Sequence, residues 1–141
     1  MAKEVNDSTL YYLIEAGQLA RLSLQRPLQG MGIHSGDDAI ILAFKGKRPL
    51  SDKQLCARTG LTAHTLQLRI NRLISLSLLD REFSDADELA STRLTKKGRK
   101  LRRNLLVQWH QLQEALMDDL SKKERKRLRK TLKHLLNLLS L

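Results

Sequence analysis

Two short helices joined by a tight turn around Gly60, in the middle of the chain, constrain its fold more than any other feature. Ser51 and Gln54 form the pattern of a capping box that begins the first helix, and Gly60 ends it. Thr62 is placed to cap the second helix, which is predicted to run to about Ser77. Two helices joined by so short a turn have the spacing of a helix-turn-helix.

Two helices and an extended segment are predicted before this motif. Residues 9–26 carry leucine and isoleucine near the helical period, and Pro27 then kinks or ends the helix. Ser35 is a candidate N-cap for a second, buried helix through Phe44, with two aspartates in its first turn where the helix dipole favours anions. Residues 48–50 suffice only for a minimal strand or an extended link.

Two short strands and two helices are predicted after the motif. The strands, residues 78–83 and 91–94, flank a polar loop that would form a wing. Thr95 then caps a long helix, and Ser121 begins the last helix with a second capping box. The predicted fold class is mostly α with a small β-wing, a winged helix-turn-helix plus a helical region from both termini.

The net charge of +11 lies in the last third of the chain. Residues 1–90 hold 11 Lys/Arg and 11 Asp/Glu, whereas residues 91–141 hold 15 and 4. This imbalance suggests a polyanionic partner, through neutralised phosphates and released counterions. For a single run such as residues 122–130, a solvated helix face is the alternative interpretation.

The remaining composition indicates a cytoplasmic protein without a membrane partner. No apolar run approaches the ~20 residues of a membrane span, and the N-terminus lacks the apolar core of a signal peptide. One cysteine cannot form an internal disulfide, which fits a reducing compartment.

Several short segments, in order along the chain, resemble those of a known family. They are Gly32 with Ile33 and the stretches 50–57, 60–66, 78–81 and 94–98. Together they resemble the MarR family of bacterial regulators. The resemblance implies a homodimer that binds double-stranded DNA at a near-palindromic operator, often released by a small ligand.

The resemblance also implies three regions within one compact domain: residues 1–34 as a dimerisation helix and link, 35–95 as the DNA-binding lobe, and 96–141 as the C-terminal dimerisation helices. The leucine seams of the terminal helices independently favour a homodimer, because two helices cannot bury that much apolar surface on each other. The predicted interface residues are Leu10, Leu13, Leu105, Trp109, Leu112, Leu116, Leu128, Leu132, Leu135 and Leu139.

The wing departs from the family pattern. Members of the family carry an arginine in the wing that enters the minor groove, but residues 84–91 contain Asp85, Asp87 and Glu88, and the next arginine is Arg93. Because phosphates repel an acidic tip, the sequence does not predict a groove contact from it.

The second helix of the motif predicts a face that reads DNA. At about 100° per residue, Leu66, Ile70 and Leu73 share one arc, which would face the core. The opposite arc suits a major groove, because asparagine and glutamine pair with adenine, arginine with guanine, and an exposed leucine with the thymine methyl. An ordinary polar surface is the alternative. The predicted DNA-binding residues are Ser51, Lys53, Thr62, His64, Thr65, Gln67, Leu68, Asn71, Arg72, Arg93, Lys97 and Arg99.

No catalytic or metal site is predicted. His110 and Glu114 have the spacing of half a metal site without a supporting cluster, and Cys56 is interpreted as a packed thiol rather than a redox sensor. The chain also lacks a glycine-rich phosphate loop and a nucleophile beside a base, so neither an enzyme nor a cofactor is expected.

Two functional hypotheses follow from these patterns. The leading one is a sequence-specific transcription regulator, with an effector site that family analogy would line with Tyr11, Tyr12 and Trp109. The alternative is a basic winged-helix module that binds RNA, bulk DNA or an acidic protein without sequence preference.

Overall fold

The computed structural model describes residues 5–83 and 90–140 and divides into two compact units, residues 1–108 and 109–141. The order of helices and strands is the predicted one, preceded by a 3₁₀ turn at Val5–Asp7. The elements are α1 (Thr9–Gly30), α2 (Asp37–Ala43), β1 (Leu50–Ser51), α3 (Asp52–Thr59), α4 (Ala63–Ser75), β2 (Leu79–Phe83), β3 (Ala90–Leu94), α5 (Lys96–Met117) and α6 (Lys122–Leu139). The predicted class, mostly helical with a small wing, is confirmed.

The helix-turn-helix forms at α3 and α4 as its local sequence predicts. Ser51 Oγ accepts a hydrogen bond from the Gln54 amide at 3.2 Å, and the Gln54 side chain accepts one from the Ser51 amide at 2.9 Å. Gly60 ends α3 with a φ of 73°, a left-handed conformation that glycine adopts without steric cost. Thr62 caps α4 by accepting from the Thr65 amide at 3.3 Å.

The beginning of α2 differs from the prediction. Its N-cap is Gly36, at φ 99°, rather than Ser35. Gly36 makes no side-chain capping bond. Instead, two aspartates of the first turn bind amides that precede the helix: Asp37 Oδ2 accepts from the His34 amide at 2.7 Å, and Asp38 Oδ1 from the Gly36 amide at 3.0 Å. As charged acceptors, these carboxylates bind backbone amides more strongly than a serine hydroxyl would.

The first helix also extends further than predicted. Pro27 lies inside α1, which continues to Gly30. The last turns carry the two buried side chains of the helix, Leu24 and Leu28. Burial of these leucines offsets the missing amide hydrogen bond at the proline, so the helix is not ended there.

A three-stranded antiparallel sheet in the order β1-β3-β2 closes the first unit. Leu79 faces Leu94 in its register, and Leu50 faces Thr92. The sheet packs with the helices around an aliphatic core: Leu24, Leu28, Ile33, Ile40, Ile41, Phe44, Leu50, Leu55, Leu66, Ile70, Leu73, Leu78, Leu79, Leu94 and Leu105. Residues 84–89, which include the acidic wing residues Asp85, Asp87 and Glu88, lie outside the described residues.

One glycine sets how closely α5 approaches the start of β2. A Cβ atom at Gly98 would lie 2.1 Å from the carbonyl oxygen of Leu78. The preceding residue also holds this junction, since Thr95 Oγ1 donates to the Ser77 carbonyl at 2.6 Å and accepts from the Gly98 amide at 2.9 Å. The first turn of α5 therefore packs directly on backbone.

The second unit consists of the end of α5 and the whole of α6. Ser121 forms the predicted capping box with Glu124, and each residue accepts from the other's amide, at 3.2 and 3.1 Å. Arg125 Nε donates to the carbonyls of Met117 and Leu120 at 3.0 and 3.2 Å, which fixes the turn between the helices.

Candidate nucleic-acid interface

Helix α4 separates a buried face from an exposed one, as predicted. Leu66, Ile70 and Leu73 are fully buried. On the other side His64 and Asn71 are exposed, and 59% of the surface of Leu68 is accessible. Because most of the surface of this leucine is accessible, α4 presents an apolar side chain beside hydrogen-bonding groups on one surface.

Gln67 is held between two neighbouring elements. Its Nε2 donates to Asp52 Oδ2 on α3 at 2.6 Å, and its Oε1 accepts from Arg81 Nη1 on β2 at 2.9 Å. Arg81 also donates to the same Asp52 oxygen at 2.6 Å. Both ends of the carboxamide are therefore engaged within the chain, and α4 is fastened to α3 and to the wing.

Arg72 is likewise held inside the chain. It forms an ion pair with Asp37 on α2, and Arg69 donates to the other oxygen of that carboxylate at 3.0 Å. Asp37 is completely buried, so two arginines of α4 compensate its charge. The next residue, Asp38, is also completely buried and accepts from Arg21 of α1 at 2.6 Å.

The predicted phosphate contacts differ in what they already bind. Lys53 is exposed, at the beginning of α3 where a helix N-terminus attracts phosphate. Lys97 donates to the Leu76 carbonyl at 2.9 Å, and Arg99 to the Leu94 carbonyl at 3.2 Å. Arg93 forms an ion pair with Glu82 on the neighbouring strand. Three of the predicted cations thus hold the fold together at the wing and at α5.

The other predicted DNA-binding residues at the beginnings of α3 and α4 are Ser51, Thr62 and Thr65. Thr62 is exposed and Thr65 is half-buried, and their hydroxyls lie within hydrogen-bonding distance of each other, at 3.1 Å. Ser51 is half-buried in its capping box. These groups order the beginnings of α3 and α4.

Asp37, Asp52, Arg69 and Arg81 are residues of this region that sequence reasoning missed. The helix dipole explains why an aspartate occurs at position 37 but not which arginine it binds, and the sequence pattern predicted no contact for Asp52. Arg69 and Arg81 bind aspartates that are 32 and 29 residues away in the sequence, so the residues next to them do not indicate these partners.

The predicted interface residues fall into two groups. Leu105 was predicted at the dimer interface, but the structure places it completely inside the core of the protomer. It lies two turns after Gly98 on the packed face of α5, which explains its burial. Half-buried residues are Leu13, Trp109, Leu112 and Leu135, and exposed residues are Leu10, Leu116, Leu128, Leu132 and Leu139.

Within residues 5–83 and 90–140, no three His, Cys, Asp or Glu side chains are grouped so that they could hold a metal ion. In the same ranges, none of the helices combines the length and the apolar character that a membrane crossing requires. Cys56 is free and half-buried, rather than fully packed as predicted.

Comparison by sequence finds no matching family model and no matching curated protein. Comparison by structure finds a MarR-family transcriptional regulator from Rhodococcus sp., with a TM-score of 0.86 at 15% identity, covering 96% of each chain. A second match is BpsR of Bordetella bronchiseptica, whose DNA binding is regulated by 6-hydroxynicotinic acid. It has a TM-score of 0.85 and 18% identity, over 96% of this chain and 97% of its own.

A third match is MepR of S. aureus in its complex with DNA, with a TM-score of 0.81 and 16% identity, over 96% of this chain and 99% of that one. All three likenesses extend over nearly the whole of both chains, so they include the terminal helices as well as the winged helix. The chain therefore has the fold of the MarR family of transcriptional regulators.

Proposed function

We propose that this chain is a sequence-specific transcription regulator, not an enzyme, that acts in the cytoplasm as a homodimer on a near-palindromic DNA site. The observation that carries the proposal is the surface of α4. His64, Leu68 and Asn71 are exposed on a helix whose position is fixed by contacts to α2, α3 and β2. A fixed helix with polar and apolar groups on its outer face suits the major groove.

The exposed side chains of α4 divide the readout between them. Asn71 can pair with an adenine through both ends of its amide, and Leu68 can contact a thymine methyl group. Gln67 and Arg72 already have partners inside the chain, so we assign them to positioning α4. Lys53 and the exposed Lys96 would contact phosphates, which orients the protein without reading sequence.

The homodimer is supported by apolar side chains that the protomer leaves uncovered. On α1, Leu10 is 64% exposed and Leu22 is 61% exposed, and Leu116 and Leu139 of the C-terminal helices are 53% and 76% exposed. Residues 1–34 and 96–141 would bury this surface against a second copy, and residues 35–95 would form the DNA-binding lobe.

Light scattering at micromolar concentration tests the assembly. A dimer gives twice the 16.2 kDa mass of the chain. Replacing Leu10 and Leu22 together with glutamine should shift the mass toward that of one chain, and the matched replacement of exposed Leu68 on α4 should not. A wild-type mass near that of a single chain contradicts the homodimer.

A small organic anion is the effector that we propose. BpsR responds to 6-hydroxynicotinic acid, and CouR was solved with p-coumaroyl-CoA. In this chain a pocket of about 320 Å³ combines apolar walls at Met31, Leu76 and Leu101 with two lysines, Lys97 and Lys100. The aromatic lining by Tyr11, Tyr12 and Trp109 stays a prediction.

Footprinting on genomic fragments, at moderate salt with competitor DNA, tests the proposed function. A protected, roughly palindromic segment supports a sequence-specific regulator. A smear of salt-labile complexes without a preferred site would instead support the alternative, a winged-helix module without sequence preference, which the acidic wing sequence and the basic last helix favour.

A further inference from the structure

The last helix of the chain carries a dense basic face. Residues 122–133 contain eight Lys/Arg and one acidic residue. Apart from half-buried Arg125, all of these basic side chains are exposed. The readout of DNA by α4 does not use this helix, so its charge requires a separate explanation.

The basic side chains of α6 occupy one side of the helix. At about 100° per residue, seven of them fall within an arc of about 160° that contains no carboxylate. These seven are Lys122, Lys123, Lys126, Arg127, Arg129, Lys130 and Lys133. We refer to them as the α6 basic face. Leu128, Leu132, Leu135 and Leu139 fall in an arc nearly opposite to it.

The carboxylates of the second unit do not neutralise this face. Glu114 binds Arg125 at 3.1 Å, and Glu124 is engaged in the capping box of its own helix. Asp118 and Asp119 are exposed in the turn, and neither forms an ion pair among the residues that the structure describes. The seven cations therefore keep their full charge toward solvent.

The cations are also regularly spaced. Lys122, Lys126, Arg129 and Lys133 form one row along the helix, with steps of about 4.5 to 6 Å from the rise of 1.5 Å per residue. Lys123, Arg127 and Lys130 form a second, parallel row. So dense a row of cations suits a duplex, which carries about one negative charge per 1.7 Å of its axis.

We propose that the α6 basic face is a second nucleic-acid-binding surface, which contacts duplex phosphates without reading sequence and independently of α4. It would hold DNA that flanks the operator, or a second duplex, against the dimer. The choice of DNA over a lipid surface rests on the proposed homodimer, in which the leucines opposite the basic face are covered by the second copy. An anionic bilayer would need those leucines, and α6 has no aromatic residue to anchor at its interface.

A charge-neutralised variant tests the proposal on the full chain. Lys126, Arg129, Lys130 and Lys133 are replaced together by glutamine, which keeps the helix because glutamine is a good helix former. The matched control replaces four exposed cations elsewhere, Arg26, Lys45, Lys47 and Arg48, and so has the same net charge. Affinity for a scrambled duplex is measured by fluorescence anisotropy across a salt series, and binding to vesicles of anionic lipid is measured in parallel.

The salt slope is the decisive quantity. Each phosphate contact contributes about 0.9 to the slope of log affinity against log salt, so loss of four contacts lowers the slope by up to about 3.6. We expect that loss in the α6 variant only, with preference for the operator over the scrambled duplex retained. An unchanged slope overturns the proposal, as does an equal decrease in the control. Vesicle binding that depends on the α6 basic face, with an unchanged DNA slope, assigns the face to lipid instead.

Discussion

Arg72 of α4 forms an ion pair with Asp37, a completely buried aspartate at the beginning of α2. The carboxylate binds Arg69 as well, and its Oδ2 accepts from the amide of His34. A buried charge is tolerated only when paired and hydrogen-bonded, so this aspartate fixes where both arginines of α4 lie. The orientation of the exposed face of α4 thus depends on a residue that is itself completely buried.

Replacement of Asp37 by alanine should destabilise the chain and weaken its binding to the operator. The two arginines lose their shared partner while their side chains remain about 30% exposed, at 28% and 30%. Removing one partner of a buried ion pair costs about 3 kcal/mol or more, and partial exposure of the arginines places the expected loss near the lower end. Urea unfolding and operator titration measure the two effects. Asp118→Ala, at an exposed position, is the control and should change the free energy of unfolding by less than about 0.5 kcal/mol. Equal stability of the two variants would refute the role of Asp37.

The sequence predicts contacts between neighbouring residues, but not the ion pair between Arg72 and Asp37. The caps at Ser51, Thr62 and Ser121 depend on neighbours three residues away, and each forms as the local sequence indicates. Arg72 and Asp37 are 35 residues apart, and their meeting depends on how α2 packs against α4. The helical period correctly separated the buried and exposed faces of α4, but a period says nothing about which polar side chains already have partners.

The close approach at Gly98 gives a second prediction. An alanine methyl group would overlap the Leu78 carbonyl, and backbone there cannot move without shifting β2 or α5. Gly98→Ala should therefore lower the free energy of unfolding by about 3 kcal/mol, the upper range for overpacking. Gly30→Ala, at the last residue of α1, is the matched control, because nothing lies within 4 Å of its added Cβ and alanine is the better helix former. Chemical denaturation should show the control gaining up to about 1 kcal/mol, and similar changes in both variants would contradict the packing described.

The capping box of α6 predicts a dependence on pH. The hydrogen bond from the Ser121 amide, followed by that from its side chain, lowers the pKa of Glu124 below its ordinary value of 4.5. Because the pKa is lower in the folded chain, the stabilisation is present above the unfolded value and is lost as pH falls through the folded value. NMR titration of the Glu124 carboxyl should show the lowered pKa. Ser121→Ala removes the hydroxyl but keeps the backbone amide, so the pKa should rise only part of the way toward 4.5. An unchanged pKa would show that the hydroxyl does not contribute to the lowered value.

Asn71 is the exposed amide on α4 that we assign to base readout, so the proposed function depends most on this residue. Binding of Asn71→Ala to the operator and to a scrambled duplex, across one salt series, tests that assignment most directly. Loss of a base contact should cost about 1–3 kcal/mol at the operator and almost nothing on the scrambled duplex. Lys53→Ala, which removes a phosphate contact, should weaken both duplexes alike and reduce the salt slope by about 1. If Asn71→Ala weakens both duplexes equally, α4 does not read sequence and the proposed regulator is contradicted.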